Sequence, residues 1–405
     1  MSKRYPGGVV SATAPVVVGP VDGEGGTAPG IWTLDQAEDY IAQGLWPKPL
    51  IAGAFWSWGY NAGGTLGQNN IIALSSPVQV GALTTWSKIS CGTGAQTAIA
   101  IKTDGTLWSW GDNAGGQLGL GDKVNRSSPV QVGALTTWSK ITNGSAHTIA
   151  IKANGTLWTW GSNVQGQLGQ NINYLTDISS PVQVGALTTW SKIAAGYLMS
   201  GAIKTDGSLW TWGQNNAGNL GLNDIIYRSS PVQVGALTTW SSIAAGYYHM
   251  VATKTDGTLW AFGTNAGGQL GLNDIIYRSS PVQVGALTTW SKINCGLFST
   301  VSIKTDGTLW TWGNNSQGCL GLGNIVNRSS PTQVGAFSTW LNVTAGSYFT
   351  AATKTDGTLW IWGQNSSGQL GLGDKILRSS PVQVGALTTW LKIAGGDGSL
   401  IALKS

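Results

Sequence analysis

The chain has 405 residues, 60 of them Gly and 22 Trp, and only 10% are charged, against ordinary shares of ~7% Gly and ~25% charged residues. An apolar fraction of 41% can bury a large core, which excludes wholesale disorder, and the Glu, Lys and Leu heptads of a long coiled coil are missing. No apolar run approaches ~18 residues, and the net charge of +5 is spread thinly, with most cations recurring singly, so neither membrane insertion nor nucleic-acid binding is expected.

In chain order, residues 1–30 are rich in Gly, Pro, Val and Ala and are expected to run extended. Their start, MSKRYPGGVV, has no apolar stretch of the length a signal peptide requires. Thr33 and Gln36 have the spacing of a capping box, Leu34, Ala37, Tyr40 and Ile41 share one helical face, and Gly44 ends the segment. Residues 1–49 therefore predict an arm with a short helix, too small to form a core alone. Trp32, Leu34, Ile41 and Trp46 are its candidate tether residues, expected to dock onto another protein.

From Phe55 onward the chain repeats itself. A Trp-x-Trp/Phe-Gly signature starts at Trp56, Trp108, Trp158, Trp210, Trp260, Trp310 and Trp360, and a Thr-Trp pair places its Trp at 86, 138, 190, 240, 290, 340 and 390. The period is 50 to 52 residues. Each unit reads as four short strands, illustrated by Trp240–Ala245, Met250–Lys254, Thr258–Gly263 and Pro281–Val284. Thr255-Asp-Gly-Thr joins the second to the third as a tight hairpin. Pro at the head of the fourth strand suits an outer edge, where a missing N–H costs little. Seven such units predict an all-β fold, a seven-bladed propeller over residues 53–405. The first unit begins at its third strand and the last stops at its second, so N- and C-terminal strands are expected to complete one blade and close the ring.

The motifs Gly-x-Asn-x-x-Gly-Gln-Leu-Gly, Lys-Thr-Asp-Gly-Thr-Leu-Trp, and the Cys-Gly of Cys91-Gly92 and Cys295-Gly296 resemble the regulator of chromosome condensation repeat family. The resemblance implies a seven-bladed propeller and no single activity, since members serve as exchange factors, inhibitors, photoreceptors and scaffolds. The family's Gly-x-x-His-Thr turn is kept at Gly144–Thr148 and in part at Gly246–His249, a departure that tells against nucleotide exchange. The Gly-Trp-Arg-His-Thr motif of the plant ultraviolet photoreceptor is absent, so the tryptophans are no sign of light sensing. Separately, Ala28–Ala37 and Gly44–Pro47 resemble segments of virion structural proteins of tailed phages. That resemblance implies a virion-associated adhesion or decoration protein, held to other virion proteins by residues 1–49 and binding a host surface protein or glycan through the propeller. The alternative is a cellular protein-binding propeller, an inhibitor or scaffold.

Catalytic chemistry is not indicated. Gly-x-Ser-x-Gly does not occur, His147 and His249 lie far apart, and Cys91, Cys295 and Cys319 fit small core or turn positions. No enzyme activity, metal or cofactor is expected. Asp122/Arg126, Asp224/Arg228, Asp274/Arg278 and Asp374/Arg378 keep an i,i+4 spacing that reads as ion pairs within loops. The turns Lys-Thr-Asp-Gly-Thr and Gly-Ala-Leu-Thr-Thr-Trp scarcely vary between units, whereas the turn after the first strand and the loop after the third vary in both length and sequence. Alternating strands put the variable turns on one face, the place for function on a rigid scaffold. There four successive units carry large residues: Tyr197, Leu198, Tyr247, Tyr248, His249, Leu297, Phe298, Tyr348 and Phe349. They predict an aromatic arc around half of the ring mouth, as a binding site or as filling for the channel.

Overall fold

The computed structural model describes residues 52–92, 94–172 and 176–405. The arm, with its expected helix and Trp32, Leu34, Ile41 and Trp46, lies outside the described residues. The rest forms 28 strands, β1 to β28, in seven four-stranded antiparallel sheets. Blade one is β3 (Trp86–Cys91), β4 (Thr97–Lys102), β5 (Leu107–Gly111) and β6 (Arg126–Gln131), in that order from the channel outward. Blades two to six repeat it. Blade seven joins β27 (Trp390–Gly395) and β28 (Ser399–Lys404) to β1 (Ala54–Gly59) and β2 (Leu74–Gln79), so the two ends of the propeller meet in one sheet. The register runs without interruption from Ala54↔Lys404 to Gly59↔Ser399.

The repeated tryptophans hold this ring by two mechanisms. In every blade but the fourth, where Phe262 stands instead, the second indole of the third strand reaches the preceding blade: Trp110 Nε1 donates to the Thr65 carbonyl at 2.8 Å, and Trp58 Nε1 to that of Gln369 at 3.0 Å. These rings are fully buried and lie against the last Gly of the Gly-Gln-Leu-Gly loop. A Cβ on Gly67 would come within 2.8 Å of the Trp110 indole, and φ there is +69°, so the loop glycines are packing and turn devices. The other indoles grip a lysine within the blade. Lys102 Nζ sits 3.6 Å from the Trp108 ring centroid and 4.9 Å from that of Trp86, a cation–π arrangement repeated around the ring.

The hairpin turns follow from side-chain chemistry. Asp256 Oδ1 accepts from Thr258 N and Oγ1, which fixes the turn, and Trp260 Nε1 in turn donates to Thr258 Oγ1. The inner strands have a sheet partner on one side only, and polar side chains bridge their channel edges. Ser90 Oγ donates to Asn143 Oδ1, and Thr344 Oγ1 accepts from Gly395 N. The channel they surround holds a cavity of about 240 Å³, lined by Ile89, Ile193, Ile243, Ile293, Val343 and Ile393 and the small residues that follow them.

Candidate functional site

The mouth of the channel on the variable face is built by the turns that follow the inner strands. In blades two to seven Gly N donates to the carbonyl three residues on, as in Gly246 N to His249 O at 2.9 Å, leaving two residues at the tip of each turn. Tyr197-Leu198, Tyr247-Tyr248, Leu297-Phe298 and Ser347-Tyr348 occupy these tips. Neighbouring tips are also joined through the main chain, Tyr247 N to Leu297 O at 3.2 Å and Ser347 N to Gly396 O at 3.2 Å.

The aromatic rings do gather. Tyr197 and Tyr247 stack with centroids 3.9 Å apart, Tyr248 meets Tyr247 edge-on at 4.4 Å, and Phe298 tilts against Tyr247 at 5.7 Å. They also reach over the opening. A Cβ on Gly94, three blades from Tyr247, would lie 3.9 Å from both the Tyr197 and Tyr247 rings. The small tip of blade one thus faces the large tips of blades three and four across the opening. Its other side is polar, with Ser347 Oγ donating to Asp397 Oδ1 at 2.7 Å and Ser145 Oγ to the Gly94 carbonyl at 3.2 Å. Burial, and then the neighbouring Tyr197, pushes the Tyr247 phenol up, so it stays protonated and available as a donor at neutral pH.

Two of the expected arc residues are not at the mouth. His249 and Phe349 are 0% and 1% exposed, because each begins its second strand and turns inward onto the Gly three residues earlier. A Cβ on Gly246 would lie 2.3 Å from His249 Cε1, and one on Gly346 2.1 Å from Phe349 Cε1. His249 Nε2 instead meets Thr300 Oγ1 of the next blade at 3.1 Å, and His147 Nε2 meets Ser200 Oγ at 3.0 Å. Burial lowers both imidazoles to about 3, which keeps them neutral. The three cysteines are buried as well, and burial raises Cys91 and Cys319 to about 12, so none is a ready nucleophile. Tyr197, Leu198, Tyr247, Tyr248, Leu297, Phe298 and Tyr348 remain half-buried at the mouth.

A second feature of the same face was not anticipated. The loops after the third strands expose pairs of branched aliphatics: Ile226 is 63% and Ile276 62% exposed, and Ile72 and Ile376 match them in blades seven and six. In four blades the expected ion pairs grip these loops. Asp224 Oδ2 pairs with Arg228 at 2.5 Å while its Oδ1 accepts from Ile226 N, and Arg228 Nη1 donates to the Ile226 carbonyl. The same clamp recurs at Asp122/Arg126, Asp274/Arg278 and Asp374/Arg378. Each pair is worth little as an exposed salt bridge, yet together its bonds fix both main-chain groups of an outward-facing apolar residue. The sequence signal was legible: apolar residues set between Asp and Arg in an otherwise polar loop.

A closed propeller with aromatic rings at one channel mouth and displayed apolar loops has the build of a binding scaffold. The family model for the RCC1-like domain matches residues 51–343, and the regulator of chromosome condensation repeat matches 341–369 and 356–403. The chain belongs to the RCC1-like domain family. Human E3 ubiquitin-protein ligase HERC2 is 28% identical over 176 residues, 42% of this chain and 4% of the ligase. The Arabidopsis thaliana ultraviolet-B receptor UVR8 is 31% identical over 178 residues, 43% of this chain and 40% of the receptor. The matched stretches therefore span well under half of either relative. Among solved structures, human WBSCR16 has a TM-score of 0.79 at 20% identity, covering 87% of this chain and 99% of that one. Prp20p of Saccharomyces cerevisiae, whose structure was described together with its binding to Gsp1p and histones, has a TM-score of 0.77 at 18% identity, covering 88% and 93%. At these identities the structural likeness concerns the fold.

Proposed function

We propose that this chain is a non-catalytic protein-binding propeller that engages its partner through the variable face. The observation that carries this reading is the ring of clamped loops presenting Ile226, Ile276, Ile376 and their counterparts to solvent around the aromatic mouth. Exposed aliphatics held in fixed geometry bury apolar area on docking without a large ordering cost. The relatives add support: they include a ubiquitin-protein ligase and an ultraviolet-B receptor, and the yeast structure was described with binding to Gsp1p and histones. They lend none to the virion reading drawn from the arm, so the cellular protein-binding alternative becomes the main reading.

The test is Ile226→Asp/Ile276→Asp/Ile376→Asp in the full chain. These side chains touch solvent, so melting should shift by no more than about 2 °C. The variant should lose the proteins that the unaltered chain captures from its native lysate. Capture of the same set by both chains would overturn the proposal.

A further inference from the structure

Asn-Gly occurs twice in the chain, at Asn143-Gly144 and Asn154-Gly155, and both copies lie in blade two. The dipeptide is reactive because the glycine has no Cβ to shield its main-chain nitrogen from the neighbouring carboxamide. The fold treats the two copies differently.

Asn143 ends the inner strand Trp138–Asn143 and is 1% exposed. Its Oδ1 accepts from Ser90 Oγ at 2.6 Å and its Nδ2 donates to the Thr97 carbonyl at 2.9 Å, so both ends of the carboxamide are fixed to blade one. Asn154 is exposed, in the hairpin turn between the second and third strands. Five other blades have an aspartate there: Asp104, Asp206, Asp256, Asp306 and Asp356. Asn154 copies their bonds. Its Oδ1 accepts from Thr156 Oγ1 at 2.7 Å and from Thr156 N at 3.2 Å, against 2.9 Å for the same N–H in the aspartate turns. Bonding to the N–H two residues on folds the side chain over the intervening peptide and brings Cγ beside the Gly155 nitrogen. The same two donors polarise the carbonyl that would be attacked. Each glycine N–H is held by a carbonyl at 2.9 Å, Gly155 by Lys152 and Gly144 by His147, so that restraint slows both sites alike.

We propose that Asn154 is a site of self-modification, converted to aspartate through a cyclic imide with Gly155, with water as the only co-reactant. Gly155 N gives up its proton to solvent base and bonds to Asn154 Cγ. The Cγ–Nδ2 bond breaks, and the side-chain nitrogen takes a proton from solvent and leaves as ammonia. Water then opens the imide, and nothing is oxidised or reduced. Addition at Cγ gives aspartate and restores the main chain. Addition at the Asn154 main-chain carbonyl gives isoaspartate, whose main chain is longer by one carbon. The ring favours the first outcome. Gly155 O accepts from Trp190 N of the next blade at 3.1 Å, and a Cβ on Gly155 would lie 2.1 Å from the Thr188 carbonyl oxygen, so a lengthened turn has no room. The new carboxylate accepts the Thr156 bonds as a charged group, which strengthens them and gives blade two the turn of the other five.

The test is to incubate the full chain in mildly alkaline buffer made with heavy-oxygen water, digest it at low pH and map the peptides by mass spectrometry. Asn154 should convert at least about tenfold faster than Asn143, with label in the new carboxylate and aspartate exceeding isoaspartate. In the urea-unfolded chain the two rates should come within about threefold of each other, since only the fold separates the sites. Thr156→Val should slow Asn154 by about threefold or more, and Thr156→Ser, the residue that blade three has at Ser208, should not. Asn154→Asp, the end product, should melt at or above the temperature of the unaltered chain. Should Thr156→Val fail to fold, the contrast between Asn154 and Asn143 in the unaltered chain decides. No conversion of Asn154, equal rates at the two sites in the folded chain, isoaspartate as the main product, or a Thr156→Val rate equal to the unaltered one would each overturn the proposal. The protein-binding reading is tested separately, because this turn lies on the face opposite the aromatic mouth.

Discussion

The same strands end on both faces of the ring, yet the two faces answer to different demands. On one, Lys-Thr-Asp-Gly-Thr repeats nearly unchanged, and each copy makes the same bonds: Asp to Thr, Thr to indole, lysine between two indoles. On the other, turn tips range from Ala95 to the Tyr197–Tyr247 stack. Uniformity marks positions where every blade solves the same local problem. Variation marks the mouth, where blades meet across the axis and a large residue in one is fitted by a small residue in another. Repetition within one chain thus separates scaffold from site.

The sharpest way to break this comparison is to open the ring. Deleting Asp397–Ser405 removes β28, which pairs with all of β1, and strands Phe55 and Trp58 at an open sheet edge. Size-exclusion chromatography should then show aggregates that the full chain does not form. A truncated chain that stays monomeric with an unaltered melting temperature would refute closure as the source of stability.

Next in size are the indoles. Trp110→Ala should cost about 3–5 kcal/mol in denaturant titrations, from the cavity and the lost bond to Thr65. Trp110→Phe should cost only about 1–2 kcal/mol, because blade four already carries the fully buried Phe262 at this position. Equal losses would mean that the indole N–H, and not its volume, ties the blades.

Acid should act through the buried histidines. The folded imidazoles are lowered to about 3 from 6.5, so below pH 6.5 the unfolded chain takes up protons that the folded chain does not. Stability is therefore complete above pH 6.5 and falls as pH drops toward 3, by about 2 kcal/mol per histidine at pH 5. Met199 fills the equivalent site in blade three, so His147→Met/His249→Met should fold and show a flatter stability profile between pH 6.5 and 4.5. An unchanged profile would remove the histidines as its cause.

The smallest effect belongs to the variable mouth. Tyr247→Ser takes away a stack, an edge-on contact and a tilted ring contact at a half-buried position, worth about 1 kcal/mol. A loss above about 3 kcal/mol would make the mouth part of the core and undo the contrast between the faces.

How much of this could be read beforehand varies with the kind of regularity. The blades were legible because twenty tryptophans recur in fixed register, and the closing blade because the first unit opens at its third strand. The seven mouth residues were legible as departures from the repeat. That His249 and Phe349 turn inward was not, since a neighbouring Gly leaves room for either orientation and only packing against the next blade decides it.

The joint between β1 and β28 also sets an order of events. Trp58 Nε1 and the Gln369 carbonyl are separated by 311 residues, while most strand pairs join neighbours along the chain. Blades one to six can each form from a contiguous stretch of about 50 residues, a local and rapid process. Blade seven has to wait for the others to arc round and bring the two distant strands together, so the search for this one seam, and not the making of sheets, governs how fast the molecule matures. Until the seam forms, the waiting strand β1 has an unpaired edge, and the window for misassociation closes only with the ring.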